Sequence, residues 1–165
     1  MKYKITDGIR INRNAGVGRH PFADVFEGFN NVSAVKRIFG RGTASALANL
    51  RIKIPKNARW GYMWVDDKRG VLVVSMSYLR KGDASHLYLD VIHELVHIKQ
   101  HMEGRELFDE KYEYVDRPTE IAAYKAAARE ARRIGMSRGE IVKYLEIEGW
   151  ISGARLKRLC KNIGL

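Results

Sequence analysis

Hydrophobic positions along this chain change period several times, and each change marks an element. Between Asp83 and Gly104, the residues Leu87, Tyr88, Val91, Ile92, Leu95, Val96, Ile98 and Met102 recur at helical spacing and cover nearly the whole circumference. This predicts a central helix lying under a sheet with helices behind it, N-capped by Asp83 and stopped by Gly104. Three strands are expected upstream. Arg51–Ile54 ends at Pro55; Trp60–Val65 puts Trp60, Tyr62 and Trp64 on one face; Val71–Tyr78 is rich in β-branched residues. Asp66-Asp67-Lys68-Arg69-Gly70 reads as the hairpin loop between the last two. Nearer the N-terminus, Phe22, Val25, Phe26 and Phe29 stand at i, i+3, i+4, i+7, which predicts an amphipathic helix weakened by Gly28 and Asn30-Asn31. Val32, Val35, Ile38 and Phe39 continue or restart it, and Gly40 stops it. Thr43 is placed to cap a short helix through Leu50, Lys2–Thr6 reads as a short strand, and Asn12–His20 as a glycine-rich loop.

Past Gly104 the pattern turns helical again after a structured loop over 105–117. Pro118 suits a first helical turn, and the alanine-rich run Ile121–Ala131 ends near Gly135. Ser137 and Glu140 have capping-box spacing ahead of Ile141, Val142 and Leu145. Ser152 is placed to cap a last helix bearing Leu156, Leu159 and Cys160. The expected fold class is α+β: a small mixed or antiparallel sheet packed on one helix, followed by a helical C-terminal part. We read 1–165 as a single domain, with a basic N-terminal part over 1–50, a core over 51–135 and a helical segment over 136–165.

Composition narrows the setting. No apolar run reaches the length of a membrane span, no apolar h-region follows Met1-Lys2-Tyr3-Lys4-Ile5, and the only cysteine is Cys160. A cytoplasmic protein with no membrane partner is expected. The net charge of +11 is uneven. Residues 1–60 hold twelve Lys/Arg against three Asp/Glu, residues 61–118 eight against eleven, and residues 119–165 ten against five. Basic flanks can attract nucleic acid weakly, although charge this diffuse equally suits a solvated face. Arg13 and Arg19 lie in the glycine-rich loop, but no Lys-Ser/Thr phosphate-loop arrangement accompanies them. The last two helices, with Arg155, Lys157, Arg158 and Lys161, have the outline of a helix-turn-helix, as any two short helices do.

The chemistry concentrates in Asp90-Val91-Ile92-His93-Glu94-Leu95-Val96-His97. Two histidines four apart lie on one helix face, so both imidazoles can reach one ion. Glu94 stands beside that point, where a carboxylate can take a proton from water. A catalytic metal generally takes a third protein ligand. His101 and His86 sit poorly for it: His93 to His101 alone spans about 12 Å along a helix. Asp90, one turn before His93, is better placed as a supporting carboxylate. Glu120 stands near the start of the next helix, where the helix dipole favours a carboxylate. It could return beside the imidazoles or merely stabilise its own helix, and spacing leaves the two readings even.

His93-Glu94-Leu95-Val96-His97 followed by Glu120-Ile121-Ala122-Ala123-Tyr124 resembles the gluzincin branch of the zincin metallopeptidases. The nearest analogues are the short minigluzincins and, more distantly, the ImmA/IrrE-type regulatory peptidases. The resemblance covers about residues 51–135 and is specific at few positions. It implies a zincin-like fold with 51–135 as its catalytic core, Zn²⁺ held by His93, His97 and Glu120, Glu94 as general base, and a peptide or protein substrate. It also implies that an edge strand, Trp60–Val65, holds an extended peptide. The chain departs from thermolysin-like enzymes at Tyr124, where they carry a histidine-orienting aspartate, so Tyr124, Asp90 or a backbone carbonyl would take that task. Gln100 replaces the glycine of the metzincin pattern. Tyr78, Tyr112, Tyr114 and Tyr124 are the candidates for stabilising a transition state. The alternative reading is a latent or non-hydrolytic zinc protein, with the segment after Gly135 covering the cleft.

Overall fold

The computed structural model describes residues 3–58, 62–146 and 151–165. In chain order the elements are β1 (Arg10–Ile11), β2 (Gly18–Pro21), α1 (Phe22–Val25), β3 (Phe26–Glu27), α2 (Ser33–Phe39), α3 (Thr43–Asn49), β4 (Arg51–Ile54), β5 (Met63–Asp66), β6 (Val71–Val74), α4 (Met76–Lys81), α5 (Ala84–Met102), α6 (Pro118–Arg133), α7 (Arg138–Glu146) and α8 (Gly153–Ile163). The fold is α+β. Its main sheet runs β2-β4-β6-β5 and is mixed: β4 and β6 are parallel, and the outer pairs are antiparallel.

Alternation along the strands sends Ile52, Ile54, Met63, Val65, Leu72 and Val74 into the core that also holds Leu87, Leu89, Val91, Ile92 and Leu95 of α5. Each large apolar side chain fully buried in this way contributes about 1.5–3 kcal/mol. Helix α5 therefore has the sheet on one side and α6 packed on another, which is why it is apolar around most of its circumference. Its ends match the sequence reading. Asp83 accepts from the amides of Ser85 and His86, and the Gly104 amide closes onto the His101 carbonyl with φ at 72°. Pro118 opens α6. Glu140 accepts from the Ser137 amide at 2.8 Å while the Ser137 hydroxyl accepts from the Glu140 amide at 3.3 Å.

Several expectations give way to tertiary structure. Phe22, Val25, Phe26 and Phe29 are all buried, yet they do not share one helix. The chain leaves α1 after one turn so that Phe26 and Glu27 can pair with Ile11 and Arg10, and Gly28 then turns at φ 87°. The strand expected over Val71–Tyr78 stops at Val74, because Ser75 caps α4 by accepting from the Tyr78 amide. Strand β5 begins at Met63; Trp60 lies outside the described residues, and the Tyr62 carbonyl instead accepts from the Ser75 amide. Tyr3–Thr6 is not a strand: the Lys4 amide donates to the Ile134 carbonyl at the end of α6, and Lys2 lies outside the described residues.

The glycine-rich loop likewise yields an edge strand, with Gly18–Pro21 laid antiparallel to β4. Arg13 is not held out for phosphate; its guanidinium donates to the carbonyls of Leu79, Arg80 and Gly82 and closes the C-terminus of α4. The Thr43 hydroxyl donates to the Gly40 carbonyl rather than capping α3, and Ser152 precedes α8 without a side-chain cap.

The C-terminal segment is built into the core. Ile141, Tyr144 and Leu145 of α7 and Leu159 and Ile163 of α8 are buried. Arg158 pairs with Glu113 and Asp116, whereas Arg155, Lys157 and Lys161 are exposed. The expected turn at Glu148-Gly149-Trp150 lies outside the described residues. Among the described residues no helix is long and apolar enough to cross a membrane.

A Cβ added at Gly28 would stand 2.3 Å from the Gly8 carbonyl oxygen, on a backbone already in the left-handed region. Gly28→Ala should therefore destabilise the fold by at least about 2 kcal/mol. Urea unfolding of the two proteins measures this, and an unchanged midpoint would remove the close approach.

Candidate metal centre

Helix α5 carries His93 and His97 one turn apart, and the first turn of α6 carries Glu120. The packing of α6 on α5 closes the gap in sequence. His93 Nε2 and His97 Nε2 are 3.0 Å apart, and each lies 3.3 Å from Glu120 Oε2. One ligand atom from each residue thus falls in a single buried cluster that could hold a metal ion. The fit can be tested by dimension. Four donors about 2.0–2.1 Å from a tetrahedral ion stand about 3.3 Å from one another, close to the separations found. Glu120 Oε2 is buried and accepts no hydrogen bond, although two imidazole nitrogens face it. An acceptor on which two imidazole nitrogens converge suits a cation.

Glu94 stands beside this cluster and not in it. Its Oε1 is 4.0 Å from His93 Nε2, and the side chain is buried. The other histidines lie elsewhere. The His101 ring sits against Gly70, and His86 packs on Tyr144 with ring centroids 5.2 Å apart.

The supporting groups divide unexpectedly. The Tyr124 ring lies 4.3 Å from the His93 ring at 64°, and its hydroxyl meets that of Tyr114 at 3.0 Å. Asp90 is buried, but its oxygens are held by tyrosines: Tyr144 donates to Oδ1 at 2.6 Å and Tyr78 donates to Oδ2. His93 Nδ1 is buried without a hydrogen-bond partner, so Asp90 does not orient that ring. Asp90 instead ties α4, α5 and α7 together. The residue that the sequence reading passed over is Gln100. Its Oε1 lies 2.8 Å from His97 Nδ1, and its Nε2 donates to the Thr119 carbonyl at 3.0 Å. A neutral amide one turn beyond His97 on the same helix was the available signal.

Electrostatics bind the three ligands into one unit. Burial opposes the charged form of His97, but the Glu120 carboxylate outweighs it and lifts the imidazole to about 9. Burial also opposes ionisation of Glu120, yet the two imidazoles hold its carboxyl well below the usual range. Burial pushes His93 down, and the neighbouring His97 adds to that. At neutral pH the metal-free cluster therefore has an anionic Glu120, a protonated His97 and a neutral His93. Burial raises Asp90, against the tyrosine hydroxyls that favour its anion.

No protein-family model, curated protein or solved structure matches this chain.

A metal ion must displace the His97 proton. Binding at pH 7 should release about one proton, and the apparent affinity should fall about tenfold for each pH unit below the His97 value. Proton release should vanish once the pH passes well above about 9. In the metal-free protein the sign is opposite: the His97 contribution to stability is full below about 6.5, its unfolded value, and disappears as pH rises through the raised one. Titration calorimetry in buffers of differing ionisation enthalpy counts the protons, and zero release at pH 7 would contradict the assignment.

Proposed function

We propose that this protein is a zinc-dependent peptidase of the gluzincin kind, with a zincin-like arrangement of sheet and helices. One observation carries the reading: Glu120 Oε2 converges with both histidine Nε2 atoms while Glu94 lies buried alongside, outside the cluster. Two imidazoles and one carboxylate form a donor set that suits zinc with a position left for substrate or water. Bound there, zinc would act as a Lewis acid, polarising a carbonyl and acidifying water.

The chain's own residues would then do the following. His93, His97 and Glu120 hold the ion. Glu94 accepts the proton from the attacking water and delivers it to the departing amide nitrogen. Among the described residues strand β5 is an edge of the main sheet and packs against α5, so its outer side offers a template for an extended peptide. Its location beside α5 supports the expectation that a peptide or protein is the substrate. A single cysteine, Cys160, suits a cytoplasmic setting.

A latent or non-hydrolytic zinc protein is the second reading. It is favoured by burial: exposure is 4% for His93, 7% for Glu94, 6% for His97 and 3% for Glu120. Wild-type protein that loads zinc but cleaves neither casein nor a mixed peptide library would select it. Removing residues 136–165 cannot serve as the test, since α7 and α8 supply core residues.

Weak nucleic-acid association is a secondary proposal. Arg19 stands directly opposite Lys53 across β2 and β4, an unfavourable like-charge pair that an anion would relieve. Binding to single-stranded DNA should weaken steeply between low and physiological salt in an anisotropy titration, and salt-independent binding would argue against phosphate contact.

Glu94→Gln should keep zinc affinity near wild type and lower peptide turnover by about 10²–10⁴-fold. His93→Ala should lose zinc, with an affinity loss above the roughly 100-fold limit typical of supporting residues. Metal analysis and a quenched-fluorescence peptide assay read the two effects. A Glu94→Gln protein that cleaves like wild type would refute the general-base role.

A further inference from the structure

We infer that Gln100 is a positioning residue: it presents His97 to a metal ion and ties that ring to the helix turn carrying Glu120. The inference rests on the metal-site reading above and assigns a role to a residue outside the motif. Gln100 is 3% exposed and lies one turn beyond His97 on α5. Its amide bridges two elements. Oε1 is 2.8 Å from His97 Nδ1, and Nε2 is 3.0 Å from the carbonyl oxygen of Thr119.

The chemistry of the two ends leaves one arrangement. A backbone carbonyl can only accept, so the amide must turn its NH₂ toward Thr119. Its oxygen then faces His97, and that oxygen can only accept. His97 Nδ1 must therefore carry the hydrogen. The lone pair of the neutral ring is left on Nε2, the nitrogen 3.3 Å from Glu120 Oε2. The same bond persists when His97 is protonated, because Nδ1 carries a hydrogen in both forms. Gln100 thus holds the ring in one orientation whether or not a cation is present.

The other end of the bridge reaches the residue next to the third ligand. Thr119 precedes Glu120 in the first turn of α6, and its hydroxyl donates to the Leu107 carbonyl at 3.1 Å. One amide therefore sets the relation between a ligand on α5 and a ligand on α6. A neutral amide does this without adding another carboxyl group beside Glu94 and Glu120. Neither neighbour on the helix can substitute: Lys99 pairs with Glu103, and His101 faces Gly70.

Two variants of the full-length protein test this. Gln100→Met keeps the volume and removes both hydrogen bonds. Zinc affinity, measured by competition with a chromogenic chelator, should fall about 10–100-fold. Gln100→Glu keeps an acceptor for His97 but no donor for Thr119. Long-range ¹H–¹⁵N spectra of the metal-free protein should show a slowly exchanging His97 Nδ1–H in wild type and in Gln100→Glu, and lose it in Gln100→Met. A folded Gln100→Met protein that binds zinc within about twofold of wild type overturns the positioning role. So does a Gln100→Glu protein without the protected Nδ1–H, which keeps the test decisive if Gln100→Met does not fold. Wild-type protein that shows the protected proton but binds no zinc sinks the metal reading instead, and leaves the His97–Gln100 bond standing.

Discussion

A carboxylate and two imidazoles meet inside the interface of α5 and α6, and they need a positive charge between them. Glu120 is held as an anion at 3% exposure, in a region where an unpaired charge would cost several kcal/mol. Without a metal, the proton on His97 supplies the compensation. With one, the cation does. The interface therefore has two ways to be neutralised, and they exclude each other. A cation bound there would compete with the proton through the same three side chains.

The surroundings keep those side chains from finding other partners. Leu87, Leu89, Val91, Ile92 and Leu95 of α5 are buried around them and offer the histidines no polar group. The Tyr124 ring closes over His93, and Gln100 fixes His97. Asp90, the remaining buried acid on this part of the helix, is occupied by Tyr78 and Tyr144. That occupation keeps a second carboxylate from competing for the His93 ring. It also ties α7 to α5, while buried residues of both α7 and α8 build the C-terminal segment into the core.

What the sequence could reveal follows the range of the interactions involved. The caps of α5, α6 and α7 were legible because each depends on residues within a few positions: Asp83 with His86, Pro118, and Ser137 with Glu140. The adjacency of His93 and His97 was legible for the same reason. Glu120 was open on spacing alone, because its place depends on how α6 packs, and the family resemblance rather than periodicity favoured it. The phenylalanines at 22–29 misled: helical spacing also suits a short turn followed by a strand when every residue is buried. Arg13 capping α4 joins positions far apart in the chain, and no local pattern announces it. Gln100 was in view but read only as the absence of a glycine; its partners lie on either side of a long loop.

Two glutamates stand near the cluster, and their environments divide the work between them. Glu120 faces both imidazoles, so its conjugate acid is far too strong to hold a proton near neutral pH. A group that cannot retain a proton cannot act as a base that later returns it. Glu120 is thereby unsuited to carry a proton, and its permanent charge suits a neighbouring cation. Glu94 comes no closer than 4.0 Å to His93 Nε2 and lies outside the set of mutually adjacent ligand atoms. The same side-chain chemistry thus meets two different surroundings. Glu120 Oε2 lies 3.3 Å from both imidazole Nε2 atoms, whereas Glu94 Oε1 lies 4.0 Å from that of His93.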